Sequence, residues 1–176
     1  MREVHLRTSG PAETKKVAAT IAGALRPGDV VALTGELGAG KTCFVQGAAS
    51  ALGVTERVTS PSFVLRREYA GTIPLVHLDV YRLDMLSEVV DLGFEEIFDR
   101  GFITFIEWGD AMSPLLPSDH LEVELRLGEV TAEDATVRDL VVRPRGPDWL
   151  RRLPGLTADL QRWTHPRHPA GAFDQA

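Results

Sequence analysis

Short apolar runs, each closed by a turn, alternate along this chain between the spacing of a strand and the spacing of a helix. Residues 4–8 predict a short first strand, and apolar residues at helical spacing predict a helix that opens at Pro11 and stops at Pro27-Gly28. Residues 28–34 then predict a turn and a buried strand, and residues 42–52 predict a second helix. This order of elements is typical of an α/β fold.

Beyond residue 52 the pattern predicts more strands than helices. The predicted strands cover 63–69, 73–78, 102–106, 121–127 and 137–142, and the last two favour a hairpin. The predicted helical stretches are shorter and cover 87–92, 94–98, 149–153 and 157–163. The chain after His165 has the composition of a disordered tail.

The segment between the second strand and the second helix carries the most specific chemical signal. Residues 35–42 read Gly-Glu-Leu-Gly-Ala-Gly-Lys-Thr and match G-x-x-x-x-G-K-[ST], the P-loop pattern. Its glycines let backbone N–H groups reach phosphate oxygens, Lys41 can neutralise the β- and γ-phosphates, and the Thr42 hydroxyl can ligate Mg²⁺. A glycine-rich loop can match by chance, but the strand before it and the helix after it favour a nucleotide site.

Composition narrows the class of protein further. A chain of 176 residues with 44% hydrophobic residues fits one globular domain, and no apolar run is long enough to span a membrane or to serve as a signal peptide. The single cysteine excludes an internal disulfide and a cysteine-based zinc site. A net charge of −6 argues against nucleic-acid binding by bulk electrostatics. We therefore expect a cytoplasmic protein.

Two acidic residues stand at the ends of apolar strands, where a P-loop protein needs a carboxylate. Asp79 follows residues 75–78, and Glu107 follows residues 103–106. Each could simply mark a solvated strand end, but a metal site beside the P-loop requires at least one of them. The second carboxylate could orient an attacking water. Spacing alone does not assign the two roles.

Two polar segments have the character of mobile loops that sense a γ-phosphate. They are residues 59–62, Thr-Ser-Pro-Ser, and residues 77–82, His-Leu-Asp-Val-Tyr-Arg. A plain turn and a strand edge are the simpler interpretations. His77 on an apolar strand is more often a hydrogen-bonded core histidine, Arg82 more often a surface ion pair, and Trp108 more often a packing residue.

Five short motifs occur together in this order and give the chain a recognisable pattern. They are Gly-Glu-Leu-Gly-Ala-Gly-Lys-Thr at 35–42, Ser-Pro-Ser-Phe at 60–63, His-x-Asp-x-Tyr-Arg-Leu at 77–83, Leu-Gly-Phe-Glu-Glu at 92–96 and Ile-Glu-Trp at 106–108. Over residues 4–142 the chain resembles the TsaE family, P-loop ATPases of bacterial tRNA threonylcarbamoyladenosine synthesis. The combination is far more specific than the P-loop alone.

The resemblance implies ATP and Mg²⁺ as ligands, and it assigns roles to particular residues. Thr42 and Glu107 would hold the metal, and Asp79 with Lys41 and Glu107 would form the catalytic group. The nucleotide-binding residues would be Glu36, Leu37, Gly38, Ala39, Gly40, Lys41, Thr42 and Cys43. The switch loops would hold Ser60, Pro61, Ser62, His77, Tyr81 and Arg82, with Ser62 replacing the threonine that is usual in the family.

The resemblance also implies partners and a division of the chain. The partners would be a TsaD-like threonylcarbamoyl transferase and a TsaB-like subunit, with tRNA reached through that complex and no membrane. We expect a P-loop NTPase-like, three-layer α/β domain with a mixed, partly parallel sheet over residues 1–142. Residues 143–176, with six arginines against three aspartates, would form a Pro/Arg-rich extension that is partly helical or disordered. A small-molecule kinase and a nucleotide-gated adaptor with incidental hydrolysis remain alternative functions.

Overall fold

A seven-stranded mixed sheet forms the centre of the protein, in a computed structural model that describes residues 3–61, 65–81, 90–91, 98–128 and 137–166. The strand order is β1-β7-β6-β2-β5-β4-β3. The strands are β1 Val4–Thr8, β2 Val30–Thr34, β3 Arg66–Tyr69, β4 Leu75–Asp79, β5 Ile103–Glu107, β6 His120–Leu127 and β7 Arg138–Arg145. The helices are α1 Pro11–Ala22, α2 Lys41–Ala51 and α3 Gly146–Asp159, with single 3₁₀ turns at Ser113–Leu115 and Gln161–Trp163.

The parallel part of the sheet is its middle. β2 pairs in parallel with β5 on one side and β6 on the other, and β4 pairs in parallel with β5. The outer pairs β1–β7, β6–β7 and β3–β4 are antiparallel. The expected α/β fold with a mixed, partly parallel sheet is therefore confirmed.

Both faces of the middle strands are covered by apolar side chains. As a result, every residue of β4 and β5 is buried. One face belongs to the main core with α1, α2 and α3, and the other faces a smaller cluster around Ile106 and Met112. Such continuous burial is usual for parallel strands. It leaves the polar ends of β4 and β5 as the places where chemistry can occur.

The C-terminal helix is longer than the sequence predicts. In place of the two short helices expected over 149–153 and 157–163, α3 continues through Pro154 and a 3₁₀ turn follows it. Proline has no backbone N–H, so Pro154 cannot donate a hydrogen bond to the Leu150 carbonyl. Both residues are exposed, so that carbonyl lies on the exposed side of the helix. The buried side of α3 carries Trp149, which is fully buried in the main core.

The predicted boundary between residues 142 and 143 falls inside β7, which pairs with both β1 and β6. α3 then returns across the sheet, and its Arg152 guanidinium makes a bidentate ion pair with Asp29 at 2.8 Å for both contacts. The helix predictions over 87–92 and 94–98 lie almost wholly outside the described residues, as does the tail after residue 166. Within the described ranges, no helix is long and apolar enough to cross a bilayer.

Candidate functional site

The glycine-rich loop, residues 35–40, connects the end of β2 to the start of α2. Three of its glycines have positive φ angles, 134° at Gly35, 81° at Gly38 and 107° at Gly40. A side chain at Gly35 would also place its Cβ 2.2 Å from the Leu125 carbonyl oxygen on β6. Gly40 is the residue before the first turn of α2, so the loop delivers the N-terminal end of that helix to the site.

A cavity of about 470 Å³ opens in front of this loop, at the carboxyl ends of the parallel strands. Its lining brings together most of the predicted site: Leu37, Gly38, Gly40, Lys41, Thr42, Cys43, Ser60, Asp79, Tyr81, Glu107 and Trp108. The carboxyl ends of the strands are where open α/β sheets carry ligands. The volume is within the usual range for a small-molecule site.

The Lys41 side chain lies across the loop that carries it. Its Nζ donates to the carbonyl oxygens of Gly35 at 2.7 Å and Glu36 at 2.9 Å, and it lies 3.8 Å from the centre of the Trp108 ring. Burial lowers the pKa of Lys41, although nearby carboxylates, Glu107 first among them, act in the opposite direction. The ammonium is thus a partly desolvated cation, which interacts with an anion more strongly than a surface lysine would.

The carboxylate of Glu107 connects α2 to β4. Its Oε1 accepts a hydrogen bond from the Thr42 hydroxyl at 2.7 Å and contacts Nε2 of His77 at 2.8 Å. His77 is fully buried, and its Nδ1 has no hydrogen-bond partner among the described residues. This histidine therefore lies behind Glu107 and fixes the carboxylate's orientation.

Asp79 is the register partner of Glu107 in the parallel pair β4–β5, so both carboxylates lie on the same face of the sheet. Its Oδ2 accepts a hydrogen bond from the Ser60 hydroxyl at 2.6 Å, and its Oδ1 accepts one from the Tyr81 backbone N–H at 3.1 Å. Asp79 is 2% exposed. It therefore links both predicted switch segments to the end of β4.

Trp108 is more than a packing residue, because its side chain contacts Lys41 and lines the cavity. It follows Glu107 with a φ of 61°, which is uncommon for a residue other than glycine. Its ring contacts both the Lys41 ammonium and the Tyr81 ring, whose centroid is 5.1 Å away. The prediction of packing is correct as far as it goes, but the indole also lines the cavity.

The oxygen donors around Thr42 fit a magnesium ion better than a transition metal. The Thr42 hydroxyl and the carboxylates of Glu107 and Asp79 line the same cavity, and the described residues contain no group of three or more His, Cys, Asp or Glu that could enclose a metal. Mg²⁺ is usually held by one or two protein oxygens together with waters and substrate phosphates. The residues present therefore suit that ion.

Four predicted residues within the described ranges do not line the cavity. Glu36 is exposed and contributes its carbonyl to Lys41, whereas Ala39 and Pro61 are buried, and His77 lies behind Glu107. Ser62 and Arg82 lie outside the described residues. One residue with no sequence signal also reaches the loop: Arg138 of β7, whose Nε donates to the Ala39 carbonyl at 3.1 Å.

The fold and the site together define an α/β protein in which a glycine-rich loop faces two carboxylates at the ends of parallel strands. A family model described as "Threonylcarbamoyl adenosine biosynthesis protein TsaE" matches residues 8–135. The chain belongs to the TsaE family of threonylcarbamoyl adenosine biosynthesis proteins.

Individual relatives agree with this assignment. The tRNA threonylcarbamoyladenosine biosynthesis protein TsaE of Bacillus subtilis is 42% identical over 127 residues, which cover 72% of this chain and 79% of the relative. The protein of the same name from Treponema pallidum is 44% identical over 103 residues, 58% of this chain and 76% of the relative. A crystal structure of YdiB from Bacillus subtilis superposes with a TM-score of 0.70 at 32% identity, covering 92% of this chain and 95% of that one.

Proposed function

We propose that the chain is a Mg²⁺-dependent ATPase that supports threonylcarbamoyladenosine modification of tRNA and acts with TsaD-like and TsaB-like partners. One observation carries the proposal. The Thr42 hydroxyl and the Glu107 carboxylate meet at 2.7 Å in the same cavity as the Lys41 ammonium. A metal-binding pair next to a buried cation is the arrangement that a nucleoside triphosphate and its metal require.

Each residue of the cavity has a distinct task in this proposal. The N–H groups of the glycine-rich loop and the N-terminal end of α2 bind phosphate oxygens, and Lys41 exchanges its two carbonyl contacts for the β- and γ-phosphates. Thr42 and Glu107 hold the magnesium ion, which supplies charge neutralisation on the phosphates when bound. His77 keeps Glu107 in position from behind.

Asp79 is the residue we assign to the attacking water. Its carboxylate is held by the Ser60 hydroxyl and the Tyr81 N–H, so its orientation is fixed before a substrate arrives. A carboxylate oriented in this way can accept a hydrogen bond from a water molecule. That bond directs a lone pair of the water oxygen towards the terminal phosphate. In phosphoryl transfer, a side chain in this position contributes by orienting the nucleophile.

The same cavity predicts slow hydrolysis by the isolated chain. Among its described lining residues Lys41 is the one cation, and no arginine is included. In P-loop enzymes an added arginine raises turnover by about 10³–10⁵. We therefore propose that partners complete the site in trans by docking at its open side, where Leu37 and Tyr81 are exposed.

The experiment measures phosphate release from ATP with no added acceptor. The chain is assayed alone, then with the TsaD and TsaB proteins of the same organism, and then with tRNA as well. We expect slow release alone and a large acceleration by the partners. Fast hydrolysis that neither addition changes would refute completion in trans, and release that requires a small-molecule acceptor would favour the kinase.

The nucleotide-gated adaptor is separated from the ATPase by counting rounds of modification. Asp79→Asn should keep nucleotide binding and lose hydrolysis, so it isolates the bound state. If hydrolysis supports repeated turnover, this variant permits one round of threonylcarbamoyladenosine formation and then stops. Undiminished multiple turnover by the variant would favour an adaptor whose hydrolysis is incidental.

A further inference from the structure

The side chain of Arg138, at the start of β7, makes hydrogen bonds to the glycine-rich loop. Its Nε donates to the Ala39 carbonyl at 3.1 Å, and its Nη2 makes a longer contact of 3.4 Å with the Gly38 carbonyl. Its Nη1 donates to the carbonyl oxygen of Val137, the residue immediately before β7, at 2.9 Å. The guanidinium therefore connects two consecutive loop carbonyls to the start of β7.

The direction of these hydrogen bonds determines where the loop N–H groups point. In a trans peptide the C=O and the N–H lie in one plane and point in opposite directions. The Ala39 carbonyl belongs to the same peptide unit as the Gly40 N–H, and Gly40 lines the cavity. Because Arg138 holds that carbonyl on its own side of the loop, it turns the Gly40 N–H away from itself, towards the cavity.

The neighbouring backbone hydrogen bonds involve the peptide units on either side of this one. The preceding N–H, that of Ala39, is already satisfied by the Glu36 carbonyl at 3.1 Å, and the Gly40 carbonyl accepts from Phe44 in α2 at 2.9 Å. The unit between Ala39 and Gly40 lies between these two anchors. It also adjoins Gly40 at a φ of 107°, where glycine has several accessible conformations.

We infer that Arg138 is a positioning residue: it holds the Ala39–Gly40 peptide in the orientation that presents the Gly40 N–H to a bound phosphate. Arg138 acts through the loop backbone and not through the phosphate, since it does not line the cavity. The effect on affinity rests on the proposed function, because it presupposes a phosphate ligand. The effect on the loop backbone does not.

The test uses two substitutions that separate hydrogen bonding from charge. Arg138→Ala removes both. Arg138→Gln places an amide nitrogen the same number of bonds from the backbone as Nε, so it keeps a donor for the Ala39 carbonyl and removes the positive charge. Arg126→Ala is the matched control, because Arg126 lies on the partner strand of the same hairpin and pairs with Glu124 instead of the loop.

Titration calorimetry with ADP measures the affinity of each variant in the full chain. Since a hydrogen bond contributes about 0.5–1.5 kcal/mol, we expect Arg138→Ala to weaken binding by about threefold to tenfold. Arg138→Gln should stay within about twofold of the native chain, and Arg126→Ala should not differ from it. Equal losses in Arg138→Ala and Arg138→Gln would show a long-range charge effect and overturn the inference, as would no loss in Arg138→Ala.

The second measurement needs no nucleotide. The ¹⁵N heteronuclear NOE of residues 38–40 in the free protein reports backbone mobility on the fast timescale. Arg138→Ala should lower it at Gly40, while Arg138→Gln and Arg126→Ala leave it unchanged. Unaltered order at Gly40 in Arg138→Ala would overturn the positioning role. If the native chain binds no ADP, the proposed function fails, and this second measurement still decides whether Arg138 holds the loop.

Discussion

Asp79 and Glu107 are register partners at the ends of two adjacent parallel strands, yet their carboxylates have different hydrogen-bond donors. Glu107 is bound by Thr42 of α2 and by His77, whereas Asp79 is bound by Ser60 and by the backbone of Tyr81. The two carboxylates thus occupy equivalent positions in the sheet but have different hydrogen-bonding environments. This difference predicts a division of roles.

Isosteric amides at the two positions should produce different defects. Glu107→Gln removes the negative charge of the proposed metal ligand, so we expect Mg²⁺-dependent ATP binding to weaken by about tenfold or more. Asp79→Asn should leave the dissociation constant within about twofold and slow single-turnover hydrolysis by about 10²–10⁴. Binding and single-turnover assays on both variants check this, and the opposite pattern would exchange the two roles.

Loss of the buried cation should reduce nucleotide affinity. Lys41→Ala removes the proposed charge-assisted contact with the phosphates, worth about 1.5–3 kcal/mol, so ATP should bind about ten to a hundred times more weakly. Lys16→Ala, on the exposed side of α1, is the control and should bind as the native chain does. Titration calorimetry measures both, and an unchanged dissociation constant for Lys41→Ala would contradict the assigned site.

Two glycines of the loop should differ in their tolerance of a methyl group. Gly38 has open space where a Cβ would lie, so Gly38→Ala meets only backbone strain of about 1–2 kcal/mol. At Gly35 the new Cβ would also collide with the Leu125 carbonyl, and overpacking should add about 1–3 kcal/mol. Urea unfolding of the two variants gives the comparison. Equal losses of stability would mean that β6 moves aside freely.

The C-terminal helix should contribute to the stability of the whole domain. Trp149 is fully buried in the main core, so Trp149→Ala should lower the free energy of unfolding by about 3–5 kcal/mol. Leu150, its neighbour on the exposed side, is 50% exposed, and Leu150→Ala should change it by less than about 0.5 kcal/mol. A second, separate unfolding transition in Trp149→Ala would instead indicate that α3 is dispensable to the core.

Acid should destabilise the protein through the ion pairs of β6. Burial alone would raise the pKa of Glu124, but hydrogen bonds from Arg126 and Arg143 outweigh it and hold the pKa below its usual range. A carboxyl with a depressed pKa in the folded state stabilises the fold above its unfolded pKa and loses that contribution as pH falls through the folded pKa.

The corresponding variant is Glu124→Gln. We expect it to be less stable than the native chain at pH 7 and to show a shallower fall in unfolding free energy between about pH 5 and pH 3. Glu56→Gln, an exposed loop residue, is the control. Urea unfolding across this pH range provides the measurement. If the unfolding free energies of Glu124→Gln and the native chain fall in parallel with pH, Glu124 does not contribute to the acid sensitivity.

Local pattern was sufficient to predict the elements that carry the site. The glycine-rich loop, the helix after it and the two strands ending at Asp79 and Glu107 follow from apolar periodicity and one motif, because each is a property of adjacent residues. The α/β class follows from their order. These are the parts of the molecule in which sequence neighbours are also structural neighbours.

Relations across the sheet could not be predicted in this way. β4 is buried on both faces, so its sequence does not reveal that His77 faces Glu107, which depends on the register with β5. Arg138 contacts a loop that lies about a hundred residues earlier in the chain. The contact is possible because this loop follows β2, and only β6 separates β7 from β2 in the sheet. α3 passes through Pro154, a residue that local rules read as a helix end.

The parallel pairing in the middle of the sheet also affects how the chain folds. Val31 of β2 has Phe105 on one side and Leu121 on the other, so the cavity exists only after distant segments have been brought together. A chain in which β5 and β4 have not yet paired beside β2 therefore lacks the complete cavity. A ligand of the cavity selects the completed native state and, at a hundred times its dissociation constant, adds about 2.7 kcal/mol to its stability. Ligand supply would thereby govern how long the chain survives proteolysis in the cell.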